Sequence, residues 1–188
     1  MKKKLLILAG IIVVCIGGVT LSGYNQMATS RETVKAAAAE VDTMLQRRAD
    51  LIPNLVSTVK GYAEHETEVF DAVLEARSEL ISASSVEEKT DANEKLDQAL
   101  TQLNVVVEDY PELTSDTVYI GLMDDLAGSE NRIAVARKDY NTVVSAYNQK
   151  LVTFPENIVA TIFGFEKAEY FEADASSKDA PSVDELLN

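Results

Sequence analysis

Residues 119–151 read YIGLMDDLAGSENRIAVARKDYNTVVSAYNQKL. Taking every third or fourth residue gives Tyr119, Leu122, Leu126, Ser129, Ile133, Ala136, Tyr140, Val143, Tyr147 and Leu151. That is an almost unbroken 3.5-residue repeat, which lays one apolar stripe along one side of a helix. A half-buried strand would alternate at every second residue instead. The stretch therefore predicts one long helix, with a soft spot at Gly128 and Ser129. Phe154-Pro155 stops it, and Ser115 or Asp116 caps its start.

Working outward, the same spacing recurs. One seam runs Met27, Arg31, Val34, Ala38, Val41, Leu45, Arg48. The next runs Ile52, Leu55, Val59, Tyr62, Glu66, Val69, Val73, Ala76, Leu80. Pro53 stands between them. It lacks an N–H and disfavours helix at the residue before it. Because the seam keeps its phase, a kinked continuous helix is one reading; a break and reversal is the preferred one. Small polar residues over 82–91 form a connection. Ser85 followed by Glu88 makes a capping box for a third helix. Its seam is Leu96, Leu100, Leu103, Val107, Tyr110, and Pro111 ends it. Pro155 suits the first turn of a short helix through Ile162, closed by Gly164. The expectation is an all-α chain whose body, residues 24–165, is an up-and-down four-helix bundle. Residues 166–188 hold seven acids and two lysines and read as an acidic, largely disordered tail. Phe165, Tyr170 and Phe171 at its start are expected to fold back on the body.

The N-terminus is different. Residues 1–4 form a basic head with three lysines, and residues 5–22 carry no charge, 13 of these 18 being apolar. A helix of that length spans about 27 Å, and with Tyr24 about 30 Å, the thickness of a hydrocarbon core. Residues 5–23 are accordingly expected to be a transmembrane anchor; a cleavable signal peptide, with a weak site after Ser22, is the competing reading. Cys15 follows Val14, which is unlike a lipoprotein site. Gly18 and Ser22 form one small-xxx-small pair, which is ordinary in membrane helices and also suits homo-oligomeric packing. Three lysines in the head against Arg31 and Lys35 after the anchor mildly favour a body outside the cytoplasm, a margin that Arg47 and Arg48 narrow.

Composition narrows the function. Lys plus Arg number 17 and Asp plus Glu 31, a net charge of −14. So acidic a surface repels phosphate backbones, and no nucleic-acid partner is expected. One cysteine excludes an internal disulfide and a Cys-rich zinc site. The single histidine, His65, is followed four residues later by Val69, so the zinc-protease helix motif fails. No glycine-rich phosphate loop or Gly-x-Ser-x-Gly elbow is present. No catalytic residue, cofactor or metal ligand is assigned, and an enzyme is not expected.

Polar residues inside the seams are more informative. Arg48, Glu66 and Ser129 fall where the interior should be, and a buried charge must find partners. The candidate polar layer or interface is Arg48, Asn54, Glu66, Arg77, Glu130, Asn131, Arg137 and Asn141. Read structurally, it fixes helix register; read functionally, it is a recognition surface for a partner protein. Tyr119, Tyr140 and Tyr147 read as core residues with satisfied hydroxyls.

Several phrases resemble the LemA family. They are Tyr24-Asn25, the run Leu45-Gln46-Arg47-Arg48-Ala49-Asp50-Leu51-Ile52-Pro53-Asn54-Leu55-Val56, and Val59-Lys60-Gly61-Tyr62-Ala63 with Glu66. Tyr110-Pro111-Glu112-Leu113, Glu130-Asn131-Arg132-Ile133-Ala134-Val135-Ala136-Arg137 and Tyr140-Asn141 continue the match. So do Tyr147-Asn148, Phe154-Pro155, Ile158-Val159-Ala160 and Phe163-Gly164-Phe165. The resemblance covers about residues 5–172, in order. It implies a bacterial, single-pass membrane protein with a four-helix bundle, and it supplies no chemistry. Its motif residues coincide with Arg48, Glu66, Glu130, Asn131 and Arg137. Ala39 departs from it, where the family has a bulkier aromatic. Family members are described with the short N-terminus outside the cell, opposite to the lysine count, and both orientations stay open. Two functions follow as expectations: an interaction or scaffold module tethered to membrane lipid and binding a protein partner, or a self-assembling protein that organises or remodels the membrane.

Overall fold

The computed structural model describes residues 2–172, apart from the side chains of Leu5, Ala9, Ile12, Val13, Cys15 and Ile16. The rest of the acidic tail, residues 173–188, lies outside the described residues. The described chain is all-helical. Its helices are α1 (Lys2–Lys60), α2 (Thr67–Ser82), α3 (Val86–Glu108), α4 (Pro111–Thr114), α5 (Thr117–Val152) and α6 (Glu156–Phe163).

Most boundaries sit where local punctuation puts them. Ser85 accepts from the Glu88 N–H at 3.1 Å, and the Glu88 carboxylate accepts from the Ser84 and Ser85 N–H groups at 2.7 and 3.2 Å. This is the capping box of α3. Those donors hold the Glu88 carboxyl below its ordinary value of 4.5. A depressed carboxyl adds stability above its unfolded value and loses it as the pH falls through the folded one. Denaturant midpoints followed from about pH 6 to pH 3 should therefore fall more steeply for the natural chain than for Glu88→Ala; parallel curves would exclude the box as a source of acid lability. Asp116 caps α5, accepting from Val118 and Tyr119 N–H at 2.7 and 3.1 Å. Pro111 opens α4, and Gly164 ends α6 in the left-handed region at φ 68°.

Pro53 corrects the sequence reading. The chain does not break there: Pro53 lies inside α1, and the chain leaves α1 only after Lys60. A proline inside a helix costs about 3 kcal/mol, partly by removing the N–H that would bond the carbonyl four residues earlier. Here that carbonyl belongs to Ala49, which is fully buried, and Arg77 Nε of α2 donates to it at 2.8 Å. The same stretch buries Ile52, Leu55, Val56 and Val59. Each large aliphatic side chain so buried contributes about 1.5–3 kcal/mol. Together they outweigh the proline.

The chain divides into two compact units. The first comprises Met1–Glu40 and Lys138–Glu169, the second Val41–Arg137 and Tyr170–Asn188. In the second, α1 buries Val41, Leu45, Ile52, Leu55 and Val59; α2 buries Phe70, Val73 and Leu80; α3 buries Leu96, Leu100, Leu103 and Val107; α5 buries Leu126 and Ile133. Tyr62, expected in the interior, is exposed; its hydroxyl donates to Asp116 at 2.8 Å. Glu66 is half-buried at the N-cap position of α2.

In the first unit, Met27, Val34, Tyr140, Val144 and Tyr147 are buried, and Val144 takes the place expected of Val143. Arg31 is exposed rather than interior, with its guanidinium 5.3 Å from the Phe165 ring centroid. Residues 165–169 run back as a strap gripped from α5. Tyr147 and Tyr140 hydroxyls donate to the Glu166 and Glu169 carbonyls at 2.9 and 3.0 Å. Asn148 exchanges two hydrogen bonds with the backbone of Ala168, at 2.8 and 2.9 Å. Order thus extends past residue 166, where the composition had placed the start of the tail.

Among the described residues no helix is long and apolar enough to cross a membrane. Six of the uncharged residues 5–22 have side chains outside that set. Of the remainder, Leu6, Ile7, Leu8, Ile11, Val14, Val19 and Leu21 are all exposed, each by more than half.

Candidate functional site

The most polar point of the second unit is Arg48. Its place in the seam between Leu45 and Ile52 turns it inward, and its side chain is 4% exposed. Nη1 donates to Asn93 Oδ1 at 2.6 Å and to the Glu130 carboxylate, and Nη2 donates to the Asp97 carboxylate. Asn93 Nδ2 in turn donates to Asp97 Oδ2 at 3.2 Å. Asn93 and Asp97 are four residues apart on α3, so they stand on one face of that helix. One guanidinium therefore ties α1 to α3 and α5.

The electrostatics are lopsided. Asn93 is fully buried, whereas the Asp97 and Glu130 side chains are 43% and 39% exposed. Each carboxylate gives one oxygen to Arg48 and keeps contact with water. The charge thus avoids most of the desolvation cost of a fully buried pair. Arg48 Nε is buried and lacks a hydrogen-bond partner among the described residues. Both terminal nitrogens are engaged inside the protein, so the guanidinium is a fixed strut rather than a free anion receptor. Among the described residues no group of three or more His, Cys, Asp or Glu side chains is placed to hold a metal ion.

Of the eight residues expected in this layer, Glu130 meets Arg48. Arg77 serves the Ala49 carbonyl instead. Arg137 lies with its guanidinium 5.3 Å from the Phe171 ring centroid. Asn54 and Asn131 are exposed, Asn141 is half-buried, and Glu66 sits at the turn before α2. Ser129, the other polar seam residue, is buried and donates to the Asp125 carbonyl at 2.8 Å, one turn back on its own helix. Asn93 and Asp97 were missed. The signal was present: the seam of α3 read one step backward from Leu96 reaches Asn93, and Asp97 lies beside it.

The tyrosines of α5 behave as core residues with satisfied hydroxyls. Burial pushes the Tyr119, Tyr140 and Tyr147 hydroxyls up from their ordinary range, so they remain donors at neutral pH. Tyr119 donates to Asn104 at 3.0 Å.

The family model described as "LemA family" matches residues 37–184. Two proteins of Paramagnetospirillum magneticum, magnetosome proteins MamQ 1 and MamQ 2, are each 30% identical to the chain. The alignments cover 95% of this chain and 75% of each relative. Protein LemA of Metamycoplasma hominis is 23% identical over 87% of this chain and 75% of that protein.

Proposed function

Because the chain belongs to the LemA family, we propose that it is a membrane-anchored helical module that binds a protein partner and carries no catalysis of its own. Residues 5–22 are its single-pass anchor and the helices beyond form an up-and-down four-helix bundle. The observation that carries the anchor is the exposure of Leu6, Ile7, Leu8, Ile11, Val14, Val19 and Leu21 on α1. Uncovered apolar area of that extent marks a surface meant for lipid or another protein. An uncharged run of 18 residues matches a bilayer in length. The lysine head favours the body outside the cytoplasm.

Arg48 supports a rigid module. Its interior contacts fix the register of α1, α3 and α5, while the outward sides of Asp97 and Glu130 leave two carboxylates at the surface for a basic partner group. A second outcome is lateral self-assembly in a membrane, for which Gly18 and Ser22 supply small residues.

The test is extraction. The full chain should stay with membranes in alkaline carbonate, and deletion of residues 2–22 should release nearly all of it while preserving helix content. Release of the full chain by carbonate would overturn the anchor. Crosslinking in intact cells then separates the modes: a discrete species with one other protein supports the partner-binding module, and a ladder of homo-oligomers supports self-assembly.

A further inference from the structure

α6 has two different faces. Val159 and Ala160 are buried, whereas Ile158 is 50% and Ile162 65% exposed. These two isoleucines lie four residues apart on α6 and so share one stripe; Phe154, 75% exposed, lies in the turn just before the helix. From Asn157 to Phe165 the chain carries no charge. A solvated face of eight residues built this way would be unusual, because the largest side chains are the ones left outside.

The other face of α6 packs beside the end of the uncharged run. Val159 packs against Gly23, where an added Cβ would come within 3.0 Å of its Cγ2 atom. The Tyr24 ring lies 4.9 Å from Phe163 and 5.8 Å from Phe165, centroid to centroid. An open groove lined by Gly18, Val19, Ser22, Pro155 and Val159 runs between the two helices. α6 is therefore fixed beside the last turn of the uncharged run. Gly23 is one residue past Ser22, a rise of about 1.5 Å. Any bilayer that takes residues 5–22 has its boundary at the level of α6.

We infer that α6 is a second membrane contact, an interfacial helix lying in the headgroup–acyl boundary with Ile158 and Ile162 toward the acyl chains. The inference rests on the anchor reading above. Interfacial helices sink an apolar face about 5–10 Å while their polar side stays wet. Here the side turned to the protein replaces the wet side, packed on Gly23 and Tyr24. Tyr24 is a side chain suited to that depth. Two cations of this unit sit further along: Arg31 against Phe165, and Lys150 donating to Ser30 Oγ at 2.7 Å. They are placed at headgroup level, where long basic side chains are favoured. The anchor and α6 together would fix the tilt of the emerging helix, which one span alone leaves free.

The test uses the full chain in phosphatidylcholine–phosphatidylglycerol vesicles, in a Cys15→Ser background. Single cysteines at Ile158, Ile162, Val14 and Val135 carry an environment-sensitive fluorophore, and vesicles contain lipid spin-labelled near the headgroup or deep in the chain. Labels at Ile158 and Ile162 should be quenched several-fold by the shallow spin label and less by the deep one, with Val135 unquenched and Val14 quenched by the deep one. Quenching at Val14 with wet, unquenched labels at Ile158 and Ile162 overturns the inference and leaves the anchor intact. Water-shielded labels at Ile158 and Ile162 that no lipid quencher reaches overturn it in favour of a second copy of the chain. An unquenched Val14 label removes the anchor, and the interfacial helix with it. Gly23→Leu, which pushes α6 away, should lower quenching at Ile158 while Val14 stays unchanged; equal quenching there would overturn the role of the Gly23 contact in setting the depth of α6.

Discussion

Arg48→Ala should destabilise the protein by about 3 kcal/mol, the lower end of the cost of breaking a buried ion pair. The lower end applies because Asp97 and Glu130 are about two-fifths exposed and can recover water, while fully buried Asn93 cannot. For a chain of this size that is a drop of about 10 °C in Tm, read by circular dichroism in detergent. Arg48→Lys should fall between, since an ammonium cannot span three acceptors on two helices as a planar fork does. Replacing the buried centre as a pair, Arg48→Met with Asn93→Leu, should recover part of the loss because the two carboxylates already reach solvent. A melting temperature unchanged in Arg48→Ala would show that the node does not hold the helices. If partner recovery failed in a variant still fully folded at the assay temperature, Arg48 would belong to the interface instead.

The second large effect is a coupling between residues 24 positions apart in sequence. Arg77→Met should cost about 2 kcal/mol, the desolvation penalty of a buried carbonyl left without a donor. Pro53→Ala restores the N–H that would reach Ala49. In the natural background that N–H finds the carbonyl already taken by Arg77, so its gain is small. In the Arg77→Met background it should recover most of the loss. The pair of substitutions should therefore deviate from additivity by more than about 0.5 kcal/mol, the usual scatter for independent sites. Strictly additive denaturant midpoints would mean that Arg77 is not standing in for the missing amide.

These two sites also show what was legible from sequence. Ser85 with Glu88, Pro111, Asp116, Pro155 and Gly164 act within four residues of themselves, and each marked its boundary. Pro53 acts locally too, but its local penalty is offset by Arg77, on another helix, and by burial on a face the proline does not touch. The seam of α1 carried Arg48 inward for a good physical reason, yet its partners Asn93 and Asp97 lie 45 and 49 residues away. Periodicity says which way a side chain points and not what it meets. Tyr62 and Glu66 were carried past the end of α1 by an assumed phase; the chain reverses over residues 61–66, and neither faces the core. The family resemblance identified Arg48 and Glu130 as motif residues, and the fold joined them.

Tyr147, Tyr140 and Asn148 hold the strap by main-chain atoms alone: the Glu166, Ala168 and Glu169 carbonyls and the Ala168 amide. Such a grip is blind to spelling. Glu166, Lys167 and Glu169 have exposed side chains that none of these bonds uses, so replacing them should leave the grip intact. A protease site, an epitope or a charge-reversed triplet written there would ride on the same clasp, which makes this short stretch the natural place to graft a reporter onto the folded chain.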